Sequence, residues 1–226
     1  MQKSIVIHTK EKEIFEEADI MEINESEVLE INWNRSFISL KRTFDIVFSL
    51  FLIVVTSPIV LLSLLVVFFQ DFKSPIFKQQ RVGIYNKEFT LYKIRSMVKN
   101  AEKNGVKWAD KNDCRVTPFG KLIRKTRIDE LPQLFNVLKG DMSLIGPRPE
   151  LEFFYKSFEK KIPNFRDRLL VKPGITGWAQ INGGYDITPR EKLNLDLYYI
   201  ENVNLLMEVK IFFITIKTVI CGNGAR

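Results

Sequence analysis

From Ile46 to Phe69 the chain runs for 24 residues without a charged side chain, and Lys41, Arg42, Asp45, Asp71 and Lys73 flank the run. As one helix the run reaches about 36 Å, a little more than the ~30 Å hydrocarbon core of a bilayer. It is too long, and too far from the N-terminus, for a cleavable signal peptide. Ser57-Pro58 lies at its centre. Pro58 cannot donate to the carbonyl of Val54, so the sequence predicts a kink there, with the Ser57 hydroxyl bonding back to a freed carbonyl. Two architectures follow: a kinked helix that crosses the bilayer, or a re-entrant hairpin about one leaflet deep. Basic residues on both flanks (Lys41-Arg42 before, Lys73, Lys78 and Arg81 after) favour re-entry, because both ends then resemble cytoplasmic flanks.

Outside this block the charge is uneven. Residues 1–45 carry six Lys/Arg against ten Asp/Glu, and the remainder carries 28 against 17, within a net charge of +7. A basic body beside an apolar block points to an anionic partner such as phosphate, a lipid surface or nucleic acid. The one histidine, His8, lies in the acidic N-terminal stretch, which excludes a Ser-His-Asp triad and a histidine-rich zinc site. Cys114 and Cys221 form no C-x-x-C pattern, and no Walker A or G-x-G-x-x-G sequence occurs. Any chemistry must rest on carboxylates, arginines and a hard cation.

The expected fold is mainly α with a small β element (α+β). Residues 1–36 read as an acidic N-terminal appendage, 37–73 as the re-entrant membrane region broken at Ser57-Pro58, and 74–226 as a cytoplasmic catalytic domain with interfacial amphipathic helices. Within that domain, 75–99 suggest a hairpin turning near Gly83 and Asn86, and 100–116 a polar loop. The i, i+3, i+4, i+7 spacing of Leu131, Leu134, Phe135 and Leu138 predicts a helix ended by Gly140. Then come a Pro-rich turn at 145–149, a helix over 150–161 suited to either the membrane interface or a core, a Gly-rich stretch over 172–184, and two closing helices. The last, about 203–220, is too charged to span.

Asp129 and Glu130 are placed at the start of the Leu131 helix, with Thr126 in a capping position. Acids there complement a helix dipole and need no further role. Their neighbours shift the balance, since Arg115, Arg124, Lys125 and Arg127 lie just upstream and Arg148 is held between Pro147 and Pro149. Arginines converging on a helix start make a diphosphate site. A carboxylate there can attack phosphorus, and its neighbour, pointing about 100° away, can ligate Mg²⁺.

An ordered series of motifs carries a resemblance. Lys41-Arg-x-x-Asp45, Ser57-Pro58, Phe77-Lys-Gln-x-Arg81-x-Gly83, Lys93-x-Arg-Ser-Met97 and Asp113-x-Arg-x-Thr117-x-x-Gly120-x-x-x-Arg124 come first. Asp129-Glu-Leu-Pro-Gln-Leu134, Asn136-Val-Leu-Lys-Gly140, Ile145-Gly-Pro-Arg-Pro-Glu150 and Lys172-Pro-Gly-Ile-Thr-Gly-Trp-Ala-Gln180 follow. Over about 37–226 the chain resembles the bacterial sugar transferases, the monotopic polyprenyl-phosphate phosphoglycosyltransferases. The resemblance implies a glycosyl-1-phosphate transferase moving a sugar-1-phosphate from a UDP-sugar to polyprenyl (undecaprenyl) phosphate, with release of UMP, as the first membrane step of glycan or exopolysaccharide assembly. It implies Asp129 as nucleophile, Glu130 as partner of Mg²⁺ (Mn²⁺ being an acceptable substitute), and Arg124 and Arg148 as phosphate binders. Lys93, Arg95 and Arg115 are further substrate contacts. The implied place is the cytoplasmic face of the bacterial inner membrane, in contact with its lipids; a homodimer is compatible with this, and no nucleic acid beyond the nucleotide donor is expected. Lys73, Ile94, Asn204 and Glu208 depart from the family pattern, the last two at positions that bear on substrate detail. A membrane-tethered nucleic-acid- or lipid-binding module without catalysis is the alternative, and a catalytically silent scaffold of polysaccharide assembly is the third reading.

Overall fold

A computed structural model describes residues 33–101, 113–183 and 187–221. Residues 1–32, which hold most of the acidic appendage and His8, and most of the expected polar loop fall outside the described residues. The protein is mostly helical with two small sheets, as its α+β reading requires.

Helix α1, Arg35–Asp71, begins where the Asn34 side chain accepts from the Ser36 N–H, and closes at Phe72 in the left-handed region. It carries Pro58 in its interior, and the Ser57 hydroxyl donates to the Val54 carbonyl at 2.8 Å, replacing the bond that proline cannot make. Its apolar side chains largely face outward, with Val54 72% exposed. Only Asp45, Ser49, Ser63 and Val67 are buried along it.

Both ends of α1 are tied to the same body. At the first, Lys41 pairs with Glu208 at 2.6 Å, Arg42 donates to the Val137 and Leu138 carbonyls, and Asp45 accepts from the Leu144 N–H at 3.0 Å. At the second, Arg95 donates to the Val67 carbonyl and pairs with Asp71 at 2.5 Å.

Strands β1 (Ile76–Val82) and β2 (Glu88–Ile94) form the expected antiparallel hairpin, turning through Gly83–Lys87. Helix α2, Pro118–Lys125, follows, with Thr117 capping the Gly120 N–H. The chain then makes a 3₁₀ turn, Ile128–Glu130, and enters α3, Gln133–Lys139. Gly140 ends α3 at φ +92°, a left-handed closure that only glycine adopts without cost. Strands β3 (Ser143–Ile145) and β4 (Gly174–Thr176) pair in parallel, and a Cβ on Gly174 would fall 2.1 Å from the Gly146 nitrogen, so both residues are held to glycine by close approach. Between them lie α4 (Glu152–Phe158) and a 3₁₀ segment, Phe165–Leu170. Helices α5 (Trp178–Asn182), α6 (Pro189–Asn202, with a Thr188/Glu191 capping box) and α7 (Leu205–Cys221) complete the chain.

The fold departs from the sequence expectation at the acidic pair. Asp129 and Glu130 do not open the Leu131 helix: Pro132 delays α3 to Gln133, and the acids occupy the preceding 3₁₀ turn. Thr126 does not cap that helix, because its hydroxyl donates back to Leu122 O within α2. Of the two roles open to α4, packing selects the core one, with Phe154, Tyr155 and Phe158 against Phe165, Leu169 and Leu193. Helix α7 instead leaves Leu206, Val209, Phe213 and Ile216 exposed while Met207 and Ile211 are buried, the amphipathic pattern suited to an interface.

Candidate active site

The acidic turn sits at the foot of the second half of α1. Ile128 packs, together with Val60, Leu64 and Phe119, against the buried Val67, Ile94 and Ile123, which joins α1, β2, α2 and the turn in one apolar cluster. Arg127, just before it, is in the left-handed region at φ +56°. A non-glycine residue there stores on the order of 1 kcal/mol or more, and such residues concentrate at functional sites. Asn136 fixes α3 against β2 by donating to Thr90 O at 2.7 Å and accepting from Tyr92 N at 3.2 Å. That contact sets the adjacent Lys93 against the turn.

Both carboxylates are buried, Asp129 at 6% and Glu130 at 7% exposure, yet their environments diverge. Glu130 is bonded by Lys93 at 2.9 Å and by Arg148, with Arg127 at 3.8 Å. Burial alone would raise its pKa, but Arg148, Lys93 and Arg127 overcome that and hold it well below the usual carboxylate range. Asp129 forms no ion pair among the described residues. Burial, aided by the Glu130 charge and only partly opposed by Lys93, Arg124 and Arg148, pushes it up to about 6. Among the described residues four cations thus act on two carboxylates, an arrangement that suits a diphosphate.

The structure gathers Asp129, Glu130, Lys93, Arg124 and Arg148 and draws in Arg127. Two expected contacts lie elsewhere. Arg95 binds Asp71 at the end of α1, and Arg115 makes a bidentate pair with Asp113, so both have structural partners in place of the acidic pair. Asn204 and Glu208 also have structural work: Asn204 accepts from the Met207 N–H, and Glu208 joins Lys41 to the Tyr199 hydroxyl. Sequence reasoning missed a buried cluster behind Arg148, formed by Arg81, Glu150, Lys192, Arg168 and Asp196. Of its members only Arg81 and Glu150 carried a signal, as residues of the Phe-Lys-Gln-x-Arg-x-Gly and Pro-Arg-Pro-Glu motifs.

Among the described residues no group of three or more His, Cys, Asp or Glu side chains clusters. The site therefore offers at most two carboxylate donors. That hard-oxygen set fits Mg²⁺, which keeps waters and takes substrate phosphate oxygens beside one or two carboxylates.

A buried carboxylate pair ringed by cations beside a long apolar helix is the arrangement that suits work on phosphate groups at a membrane. Residues 35–222 match the family described as bacterial sugar transferase, and the chain belongs to it. It is 48% identical over 191 residues to the UDP-N-acetylgalactosamine-undecaprenyl-phosphate N-acetylgalactosaminephosphotransferase of Aeromonas hydrophila, covering 83% of this chain and 45% of that protein. It is 43% identical over 187 residues to the uncharacterized sugar transferase EpsL of Bacillus subtilis, covering 83% and 90%. It is 39% identical over 206 residues to the undecaprenyl-phosphate galactose phosphotransferase of Salmonella typhimurium, covering 84% and 42%. The chain thus spans less than half of the Aeromonas and Salmonella relatives and most of the Bacillus one.

Proposed function

We propose that this protein is a glycosyl-1-phosphate transferase that joins a sugar-1-phosphate from a UDP-sugar to polyprenyl phosphate through a covalent intermediate on Asp129. The observation that carries the proposal is the contrast within the acidic pair: a buried Asp129 carboxylate without an ion pair, beside a Glu130 bound by Lys93, Arg148 and Arg127. Burial raises the Asp129 pKa, which makes its carboxylate more basic than an ordinary one and suits a nucleophile. An Asp129 oxygen attacks the β-phosphorus, the bond from that phosphorus to the bridging oxygen breaks, and UMP leaves with the electron pair. An oxygen of polyprenyl phosphate then attacks the same phosphorus, and breaking the aspartyl P–O bond restores Asp129 and yields polyprenyl diphosphate-sugar. Arg124, Arg148 and Lys93 bind the phosphates and stabilise the charge that develops on their oxygens. Glu130, with Asp129 beside it, would hold Mg²⁺, which supplies Lewis-acid screening of the diphosphate.

The placement supports work on a lipid substrate. Asp129 follows Ile128, which belongs to the apolar cluster that includes Val60, Leu64 and Val67 of α1, and this nearness to the apolar helix supports access by the phosphate of a membrane-embedded carrier. Attachment of both α1 ends to one body supports re-entry at the cytoplasmic face of the inner membrane, because a single crossing would put Asp45 and Asp71 on opposite sides. On this reading 37–73 are the membrane region and 74–226 the catalytic domain. A polyanion-binding module turns its cations outward, whereas here Lys93 and Arg148 turn inward onto Glu130.

The test is UMP release across a panel of UDP-sugars with undecaprenyl phosphate, with and without EDTA. Radiolabel from the sugar phosphate should remain on the protein when the lipid is omitted. UMP release without any labelled protein would replace the two-step scheme with direct transfer, and full turnover in EDTA would remove the cation.

A further inference from the structure

Behind Arg148 the chain is pinned at five successive residues. The Gly146 N–H donates to Thr176 O at 2.8 Å, and Pro147 O accepts from the Gly174 N–H at 2.9 Å. Arg148 O accepts from Arg168 Nη2 at 3.0 Å, and Pro149 O from Arg81 Nη1 at 3.2 Å. Glu150 O accepts from the Val82 N–H at 3.0 Å. The two side-chain donors belong to the buried cluster. Arg168, its side chain wholly buried, pairs with Asp196 at 2.5 Å and lies over the Phe165 ring at 5.3 Å. Glu150 is bonded by Lys192 and lies 3.5 Å from Arg81.

As a stabilising device this cluster is poor. Among the described residues three cations face two anions, and Arg168 Nε and Nη1 are buried without a hydrogen-bond partner. Each such orphan costs roughly 1–3 kcal/mol, and apolar replacement of buried ion pairs is often neutral or stabilising. A fold that keeps a costly cluster two residues from a phosphate-binding arginine uses it for placement. We infer that Arg168, paired with Asp196, is a positioning residue: it holds the Arg148 backbone so that the guanidinium meets Glu130 and the substrate diphosphate, and the Arg81–Glu150–Lys192 half of the cluster fixes the chain on the other side.

The kinetic arm of the test rests on the transferase reading; a spectroscopic arm does not. Full-length protein in detergent is compared as wild type, Arg168→Met/Asp196→Leu, Arg148→Ala and the triple combination, using the UDP-sugar with the fastest UMP release. Removing both buried charges together avoids leaving one unpaired. The double substitution should lower turnover roughly 10- to 100-fold while Arg148 is present. In the Arg148→Ala background it should change the residual rate by less than about twofold. Equal losses in both backgrounds would mark a structural role and overturn the inference. Should the double variant fail to fold, Arg168→Lys takes its place. It keeps the charge facing Asp196, loses the fork that also reaches Arg148 O, and should show the same dependence on Arg148. Independently, amide exchange of ¹⁵N-labelled protein read by NMR should show the Gly146, Gly174 and Val82 N–H groups, which donate across the pinned segment, exchanging at least tenfold faster in the Arg168 variants while core amides are unchanged. Unchanged protection of these amides would overturn the inference. If wild type releases no UMP from any donor, the transferase reading fails and the exchange arm alone decides.

Discussion

Asp129 and Glu130 are neighbours in the chain and equally buried, but Glu130 is bound by three cations whereas Asp129 is paired with none among the described residues. Adjacent residues of a 3₁₀ turn point about 120° apart, which lets Glu130 meet Lys93 and Arg148 while Asp129 takes a different direction. If Asp129 is the nucleophile, turnover should fall as pH drops through about 6. The check is a kcat/KM profile between pH 3.5 and 8; an acid limb at the ordinary carboxylate value, about 4, would contradict the burial argument for Asp129.

The same burial gives Asp129→Asn opposite effects on activity and stability. The folded-state pKa of Asp129 lies above its unfolded value, so the native state binds the proton more tightly, and the ionised carboxylate costs stability at neutral pH. A shift from 3.8 to about 6 corresponds to roughly 3 kcal/mol at about 1.4 kcal/mol per unit. Asn at this position should abolish turnover and labelling yet raise the thermal midpoint by several degrees at pH 8, with the gain shrinking toward pH 4. Differential scanning fluorimetry in detergent reads it, and a lower midpoint at pH 8 would contradict the burial argument.

Arg148→Lys retains the charge but not the planar fork that reaches Glu130 from a backbone fixed by Pro147 and Pro149. The shorter-reaching ammonium should lower kcat/KM by roughly 100-fold, comparable to loss of one well-aimed charged donor. Loss of less than about threefold would place Arg148 outside the reacting site.

How far the sequence revealed this arrangement depended on whether the signal was local. The apolar run, the hairpin turning at Gly83, the Gly140 closure and the last two helices rest on period, turn chemistry and composition, and all were legible. The Thr117-Pro118 start of α2 is also written locally, as a cap followed by proline at the first helical position. The β3–β4 pair was not legible, because each strand has three residues and exists through contact with the other across about thirty residues of chain. Asp129, Glu130 and Arg148 were found from type and spacing. The ion pairs of Arg95 with Asp71 and of Arg115 with Asp113 were not legible as such, because the fold supplies the partners. The Arg168–Asp196 pair left no local trace, since its members stand on separate elements.

Glu150 tests the buried cluster thermodynamically. Burial would raise its pKa, but Lys192, Arg81 and Arg168 hold it at about 2, below the ordinary 4.5. Its contribution to stability is therefore complete above about pH 4.5 and lost as pH falls toward 2. Glu150→Gln leaves Lys192 and Arg81 without their carboxylate and should cost about 3–5 kcal/mol at pH 7, with the deficit closing between pH 4.5 and 2. Denaturant titration at pH 7 and pH 3 measures it, and a variant as stable as wild type at pH 7 would show that Glu150 is not needed to balance the buried cations.

Cysteine labelling tests how α1 meets the membrane. Lys41, Arg42 and Asp45 before the apolar run, and Asp71 after it, bind groups of a single body, so a cysteine at Ser39 and another at Lys78, both exposed positions, should react with an impermeant maleimide from the same, cytoplasmic side. Labelling of Ser39→Cys from the periplasm would establish a spanning helix and detach the Lys41 and Asp45 contacts from the membrane-bound state. Pro58 is where the two readings divide most sharply. Its missing N–H and the compensating Ser57 hydroxyl make a bend cheap at mid-helix, and leucine there would restore the bond to Val54 O and straighten the segment. Pro58→Leu should therefore shift a measurable fraction of Ser39→Cys to periplasmic labelling. The displaced fraction should also lose turnover, because straightening pulls the second half of α1 from Ile94, Ile123 and Ile128, the apolar support on which the Asp129 turn rests.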